Sequence, residues 1–199
     1  MRENEMKYSS VECVEKGLPG GIFIWLISLH ELLLFFIILI IYKAQYQVNT
    51  QLFDVELKYL SLKMGIIYSA ALITSGWALA EALELYRIKK FKYAMKYHLV
   101  SLILGFVFVA VKIYDLYEKV IQGKRFGDDS FWTIYWAVNG FHLIHIIIGV
   151  FLMGFLYCRL KKHSVIDLNS FSSCGIFWHM CDVIWIMIYS VYYLPLVKV

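Results

Sequence analysis

The sequence has 199 residues, which is enough for one domain, but its composition excludes an ordinary water-soluble protein. Apolar residues make up 61% of the chain and charged residues only 17%, whereas roughly 25% of a typical globular chain is charged. The formal net charge is +4, and the basic residues form no continuous face, which excludes a nucleic-acid partner. We therefore expect a membrane protein.

Residues 1–16 are polar and mixed in charge, and they lack the basic start and apolar core of a cleavable signal. Five apolar blocks follow, and each has the length of about 20 residues that a helix needs to cross a bilayer. In chain order they cover residues 21–42, 60–85, 97–116, 131–157 and 174–194. The sequence predicts an all-α integral membrane bundle of five transmembrane helices, with residues 21–196 as one domain after an N-terminal segment, 1–20.

The distribution of lysine and arginine predicts the orientation of this bundle. Most of these residues lie on one side of the bundle. That side holds the N-terminus, the connection between the second and third blocks, and the connection between the fourth and fifth blocks. The densest run comprises Arg87, Lys89, Lys90, Lys92 and Lys96. The positive-inside rule then places the N-terminus in the cytoplasm and the C-terminus outside.

Several ionisable side chains lie inside the apolar blocks, where each must face protein, water or an opposite charge. They are Glu31, Glu81, Lys112, Asp115, His142, His145, His179 and Asp182. At a rise of about 1.5 Å per residue, Glu31 and His145 lie at similar depth near the middle of their helices. Glu81 and His179 both lie near the predicted cytoplasmic side. We expect each of these two pairs to meet if their helices are neighbours.

The spacing of these side chains suggests further contacts. Lys112 and Asp115 are three residues apart, as are His179 and Asp182, so each pair shares a helix face. The central histidines either form hydrogen bonds between helices or, together with His30, ligate haem or metal. Glu31 is either a buried structural carboxylate or a proton-conducting group. His98 and His163, near the predicted inner surface, are expected to be solvated.

Other classes of site have no support in the sequence. The four cysteines lack the CxxC spacing of a zinc site and are expected to be reduced. No nucleophile motif, HExxH motif or phosphate-binding glycine loop occurs. We therefore expect no catalytic residue, and for the central histidines we favour hydrogen bonding between helices over metal ligation.

Two longer motifs resemble subunit III of the haem–copper respiratory oxidases. Residues 139–149, NGFHLIHIIIG, are similar to that family's GFHxxHxxxG run, and residues 177–185, FWHMCDVIW, are similar to its WHFxDxVW run. Glu31 lies where the family carries a buried carboxylate, and Ser75 and Gly76 fit its small-residue patch. Lys112 and Asp115 resemble a KxxE element, although aspartate replaces the usual glutamate.

This resemblance implies an accessory subunit of a cytochrome c or quinol oxidase, in the short five-helix bacterial form, in the plasma membrane. Such a subunit has no cofactor of its own, binds phospholipid in a cleft, and packs against catalytic subunit I, which holds the haem and copper. It supports proton uptake and the stability of that partner. Glu31 would lie near the cleft, and the buried polar residues would fix the bundle; these are His142, His145, His179, Asp182, Lys112, Asp115 and Glu81.

Two alternatives remain open from the sequence. Similar short proteins accompany nitric-oxide reductases, so the chain is alternatively an accessory protein of that enzyme. A stand-alone membrane haem or transport protein would also place histidines and carboxylates inside apolar helices. Co-purification with a haem-bearing partner distinguishes the accessory roles from the stand-alone one.

Overall fold

The computed structural model describes residues 18–163 and 168–198, and this part of the chain is helical, without strands. The helices are α1 (Gly21–Val48), α2 (Thr50–Leu57), α3 (Leu62–Arg87), α4 (Phe91–Ile121), α5 (Ser130–His163) and α6 (Leu168–Tyr192), and a 3₁₀ turn covers Leu194–Lys198. All of them except α2 and the 3₁₀ turn are long and apolar enough to cross a membrane. The predicted bundle of five transmembrane helices is confirmed.

Most of the long helices extend beyond the apolar blocks that predict them. The helix α1 continues past residue 42 to Val48, and α4 begins at Phe91 rather than near residue 97. Apolar composition identifies the part of a helix that lies in the hydrocarbon core of the bilayer. The backbone hydrogen bonds of the helix continue into polar residues at the membrane surface. The blocks therefore gave the number and order of the spans but not the helix ends.

The eight-residue helix α2 was not predicted from the sequence. It begins after a break at Asn49, where the backbone dihedral φ is −125°. Its buried residues are Phe53, Glu56 and Leu57, and the Phe53 ring lies 5.2 Å from Tyr42 and 5.4 Å from Phe131. The helix is thus held across one end of the bundle by aromatic packing, which a search for long apolar blocks does not detect.

The last helix, α6, organises the bundle because it packs against α1, α3 and α5. The starts of α1 and α6 meet, since the Gly20 amide donates to Asn169 Oδ1 over 3.0 Å and Ser173 Oγ donates to the Gly20 carbonyl over 3.0 Å. Gly20 has φ +73°, and a Cβ there would lie 3.0 Å from Ser173. We name this end, which also holds the basic α3–α4 connection, the basic end, and the opposite one the far end.

Small residues let the helices approach closely at the centre of the bundle. Trp178 of α6 is fully buried and lies against Gly105 of α4 and Gly149 of α5. A Cβ would come within 3.1 Å of the indole at Gly105 and within 2.7 Å at Gly149. Helix association in lipid depends on this kind of close packing, so Trp178 and the two glycines fix how α4, α5 and α6 meet.

Candidate functional site

A contact between two ionisable side chains joins α1 to α5 near the middle of the bundle. Glu31 Oε2 lies 3.3 Å from His145 Nε2, and their side chains are 16% and 10% exposed. On its other side, Glu31 Oε1 lies 3.4 Å from Nδ1 of His30, whose side chain is 69% exposed. The predicted meeting of Glu31 with His145 is confirmed. His30 lies next to the pair but on the outer surface of α1.

The hydrogen bonding of His145 determines what this pair can do chemically. His145 Nδ1 lies 2.8 Å from the Phe141 carbonyl oxygen, and because a carbonyl only accepts, Nδ1 carries a proton. A neutral imidazole in that tautomer presents a lone pair at Nε2. A proton on either Glu31 or His145 would allow a hydrogen bond between Nε2 and the carboxylate oxygen 3.3 Å away. The pair is a two-group site that can hold a single proton at mid-membrane.

His142, one turn before His145, has a different environment. It is fully buried, and its Nε2 lies 3.2 Å from the Cys181 carbonyl oxygen of α6. Its ring stacks on Trp185 with centroids 5.6 Å apart. His142 therefore connects α5 to α6 inside the bundle, whereas His145 connects α5 to α1 nearer its surface.

A closed cluster of charges lies nearer the far end, on one face of α4. Asp115 is 2% exposed and lies 3.6 Å from Nζ of Lys112 and 3.5 Å from Nζ of Lys119, whose side chains are 0% and 2% exposed. Tyr135 donates to the same carboxylate over 3.3 Å, and Nζ of Lys112 lies 4.9 Å from the Tyr68 ring centroid. The predicted contact of Lys112 with Asp115 is confirmed. Lys119 was missed, although its position four residues after Asp115 indicates the same face.

The second pair predicted from spacing lies on α6 towards the basic end. His179 Nδ1 is 3.0 Å from Asp182 Oδ2, with side chains 46% and 12% exposed. Asp182 rests on the bare backbone of α3 at Gly76, where any Cβ would collide with it. The other carboxylate oxygen, Asp182 Oδ1, is buried and has no hydrogen-bond partner. The hypothesis that His179 pairs with Glu81 is not supported, since no ion pair of residues 18–163 and 168–198 joins them.

One histidine lies where the sequence did not predict it. His98, expected to be solvated, is fully buried; that expectation is wrong. Its Nε2 lies 3.1 Å from the Met153 carbonyl oxygen of α5, and its ring packs edge-on against Tyr157 and Phe171. The helix α4 begins earlier than its apolar block, which places His98 inside a packed interface. The side chain of His163 lies outside the described residues.

A further polar network lies outside the spans at the far end. The Glu56 carboxylate of α2 accepts hydrogen bonds from Lys124 Nζ over 2.7 Å and from Trp132 Nε1 over 2.8 Å. The hydrogen bond with Glu56 raises the pKa of the Lys124 ammonium above its ordinary value. Three elements are thus joined: α2, the α4–α5 connection and the start of α5.

The described side chains form no evident centre for a metal. Within residues 18–163 and 168–198, no three His, Cys, Asp or Glu side chains are grouped so that they could hold a metal ion. Cys158, Cys174 and Cys181 are free thiols, and Cys13 lies outside the described part. Within the described spans, His98 and His142 instead contact backbone carbonyl oxygens.

Comparison with known proteins gives a consistent result. Residues 1–195 match the family model described as cytochrome c oxidase subunit III. A protein named probable quinol oxidase subunit 3 from Staphylococcus haemolyticus is 26% identical over 153 residues, which cover 74% of this chain and 71% of the relative. One named cytochrome c oxidase subunit 3 from Alkalihalophilus pseudofirmus is 28% identical over 139 residues, covering 67% of this chain and 66% of the relative.

Proposed function

This chain belongs to the cytochrome c oxidase subunit III family, and from that premise we propose that it packs against the catalytic subunit I of its oxidase. As an accessory subunit of a haem–copper oxidase it leaves the haem and copper to that partner. Its contribution is to sustain proton uptake and the lifetime of the enzyme during turnover. The relatives named above include quinol and cytochrome c oxidase subunits, and the proposal applies to either electron donor.

The observation that carries this proposal is the pair of Glu31 and His145. An ionisable pair at mid-membrane is costly, and the rings of Phe35 and Phe141 that surround it offer no charge compensation. The pair nevertheless lies near the surface of α1 and α5 rather than in the core, so a proton can reach it from a neighbouring subunit or a bound water. We propose that Glu31 holds and releases that proton while the catalytic subunit turns over.

A cavity that lies about two helical turns from this pair supports phospholipid binding. It has a volume of about 280 Å³ and lies between α1, α5 and α6 towards the basic end. Its walls are mainly apolar, and Arg159 lies among its lining residues, where its guanidinium can bind phosphate. The apolar walls comprise Ile24, Leu152, Phe155, Leu156, Cys174 and Phe177. Mass spectrometry of the purified complex tests this part, and a preparation that stays active without phospholipid contradicts it.

The basic end determines the orientation that we propose. Arg87, Lys89 and Lys90 lie at the α3–α4 connection, and lysine and arginine in short loops favour the cytoplasmic side. We propose that this end faces the cytoplasm and that the chain lies in the plasma membrane. Accessibility of a cysteine placed in either connection to a membrane-impermeant thiol reagent tests this, and labelling of the basic end from outside contradicts it.

Purification of the tagged chain in a gentle detergent tests its place in an oxidase. We expect a larger haem-bearing subunit to co-purify and to account for all visible absorbance. The chain separated from that subunit is expected to be colourless. A Soret band in the separated chain, or the absence of any haem-bearing partner, contradicts the proposal.

The role of Glu31 is tested by Glu31→Ala, with Glu84→Ala as a matched control. Glu84 lies at the basic end of α3, is 61% exposed and contacts Arg87 over 3.8 Å, so its loss should have little effect. We expect Glu31→Ala to shorten the lifetime of the oxidase during turnover several-fold while its haem content stays unchanged. His145→Ala should give the same result, and the double variant should be no worse than either, because the two side chains act as one unit.

Two outcomes contradict this role. The first is loss of haem in Glu31→Ala, which would indicate a part in building the metal centre. The second is an unchanged lifetime in both Glu31→Ala and His145→Ala, which would make the pair a purely structural contact.

A further inference from the structure

His30 is an exposed ionisable side chain near the middle of a membrane-spanning helix. Its side chain is 69% exposed, whereas Leu26 and Leu33, one turn away on the same outer face of α1, are exposed and apolar. A histidine that faces hydrocarbon at this depth is costly. The packing of the bundle does not require a histidine on this surface, so its contact with Glu31 indicates a chemical role.

Three ionisable groups lie in a row from the outer surface of α1 to α5. Nδ1 of His30 is 3.4 Å from Glu31 Oε1, and Glu31 Oε2 is 3.3 Å from Nε2 of His145. The exposed fraction of the side chains falls along this row from 69% to 16% to 10%. Glu31 Oε2 is buried and has no hydrogen-bond partner among the described groups, which leaves a place for one proton between it and His145.

The inner end of the row is closed. Nδ1 of His145 lies 2.8 Å from the Phe141 carbonyl oxygen, and a carbonyl accepts this hydrogen bond without passing a proton on. Three aromatic rings pack against the imidazole, those of Phe35, Phe141 and Phe177. The described part of the chain therefore offers no hydrogen-bonded group through which a proton leaves His145 towards the interior of the bundle.

The outer end of the row is open, because consecutive residues on a helix point about 100° apart. This angle allows Glu31 to face α5 while His30 faces away from the bundle. A proton can thus reach the carboxylate from outside the chain in a single transfer through one imidazole ring.

We propose that Glu31 and His145 form a one-ended proton store, which is loaded and emptied through His30. In loading, His30 accepts a proton at Nε2 and gives the proton on its Nδ1 to Glu31 Oε1. The carboxylate becomes neutral, and His30 ends uncharged with its proton on Nε2. Emptying is the exact reverse and restores the first tautomer, so the ring need not rotate between the two. Hydrocarbon supplies no proton, and the proton therefore comes from water at the surface of α1.

The inference rests on the proposed function, in which Glu31 holds a proton during turnover, and adds the route by which that proton arrives. A store with one opening exchanges protons on one side only. A row of groups that was open at both ends would instead conduct protons across α1 and α5. The two arrangements differ in what the loss of each histidine does to the rate of proton exchange.

Hydrogen–deuterium exchange of the Glu31 carboxyl group tests the route. The purified oxidase is moved into deuterated water at a pH at which Glu31 is protonated, and infrared spectroscopy follows the shift of the carboxyl band, which Glu31→Gln identifies. We expect His30→Leu to keep the amplitude of this band but to slow its shift by about a hundredfold, the contribution of a positioned proton-transfer group. Leu33→Ala, at a 58% exposed position on the same face, should leave the rate unchanged.

Substitution of the other histidine tests whether the store has a second opening. We expect His145→Leu to change the position or amplitude of the Glu31 band, because its imidazole lies 3.3 Å from the carboxylate. It should not slow the exchange, since His145 lies beyond Glu31 on the route from the surface. A slower exchange in His145→Leu would show a second opening and would overturn the inference.

Added imidazole distinguishes the loss of a proton carrier from damage to the structure. In His30→Ala, imidazole from solution can replace the missing ring at this exposed position, so we expect it to restore most of the exchange rate. His30→Gln, which keeps a polar side chain without a titratable nitrogen, should exchange as slowly as His30→Leu. Unslowed exchange in both variants, or slow exchange that imidazole does not restore, overturns the inference. The absence of any Glu31 carboxyl band from the unaltered oxidase at every pH refutes the proposed function instead.

Discussion

The contrast between the charged cluster of α4 and the polar pair of α6 shows two uses of the same spacing. Lys112 and Asp115 are three residues apart, as are His179 and Asp182, and each pair is in contact. The α4 pair is almost completely buried, whereas the His179 side chain is nearly half exposed. Local spacing therefore predicts the contact within a pair but not whether the pair faces the bundle or its surroundings.

The difference follows from the partners that each pair finds inside the chain. Asp115 is surrounded by Lys112, Lys119 and Tyr135, so the α4 cluster satisfies its carboxylate without another subunit. Asp182 has only His179 and leaves one oxygen unsatisfied. We infer that the closed cluster serves the stability of this chain, whereas Asp182 relies on a single, partly exposed histidine.

The largest effect that follows from this contrast is expected for Asp115→Ala. The substitution leaves Lys112 and Lys119 buried without a counter-charge, and removal of one partner from a buried ion pair typically costs about 3–5 kcal/mol. We expect a large fall in the thermal stability of the purified chain and in its amount in the membrane. Unfolding followed by tryptophan fluorescence and quantitative blotting measure the two quantities.

The matched control for that substitution is Glu118→Ala, three residues further along α4. Glu118 accepts a hydrogen bond from Gln122 over 3.1 Å at an exposed position, so its loss should cost less than about 1 kcal/mol. Equal stability of the two variants would show that the α4 cluster does not stabilise the folded chain.

Two glycines of α5 also differ in whether their surroundings are packed or empty. We expect substitutions at these glycines to change stability less than Asp115→Ala does. A Cβ at Gly149 would lie 2.7 Å from the Trp178 ring, whereas one at Gly140 would meet nothing within 4 Å. Overpacking of a core typically costs about 1–3 kcal/mol. We expect Gly149→Ala to lower the melting temperature and Gly140→Ala to leave it unchanged or raise it slightly, as alanine favours a helix. The opposite order would contradict the close approach of α5 and α6 at Trp178.

Much of the fold could be predicted from the sequence because the bilayer imposes one length and one composition on each span. The number, order and approximate positions of the five spans were correct, as was the pairing of Glu31 with His145. Equal depth along the helix axes was sufficient for that pairing, because α1 and α5 are neighbours. The same argument failed for Glu81 and His179, since depth does not specify the direction in which a side chain points.

The remaining errors have a common physical origin in the ends of the helices. Helix α2 and the buried state of His98 depend on packing at the membrane surface, where hydropathy changes gradually and polar residues continue a helix. The burial of His98 against Tyr157 and Phe171 depends on contacts with α5 and α6, which are distant in sequence. Local pattern carries no information about contacts of this kind.

The smallest effect is expected at the far end, where Glu56 holds α2 against the α4–α5 connection. Glu56→Gln keeps an oxygen that can accept from Trp132 but removes the charge that strengthens the hydrogen bond from Lys124, at a cost of about 1 kcal/mol. Because Glu56 raises the pKa of Lys124, this lysine stays charged through neutral and mildly alkaline pH. Its contribution to stability is present below its ordinary pKa and is lost only as the pH rises through the raised value.

The difference in melting temperature between the unaltered chain and Glu56→Gln should therefore be small and constant from neutral to mildly alkaline pH. Gln122→Ala, an exposed change in the same connection, serves as the control and should not alter the melting temperature. A difference that disappears at mildly alkaline pH would mean that the Lys124 ammonium loses its proton there, which contradicts its hydrogen bond to Glu56. If Glu56→Gln lowered the melting temperature as much as Asp115→Ala does, α2 would be part of the stable core. Buried charges inside the spans would then no longer differ in their effect on stability from polar contacts at the ends of the spans.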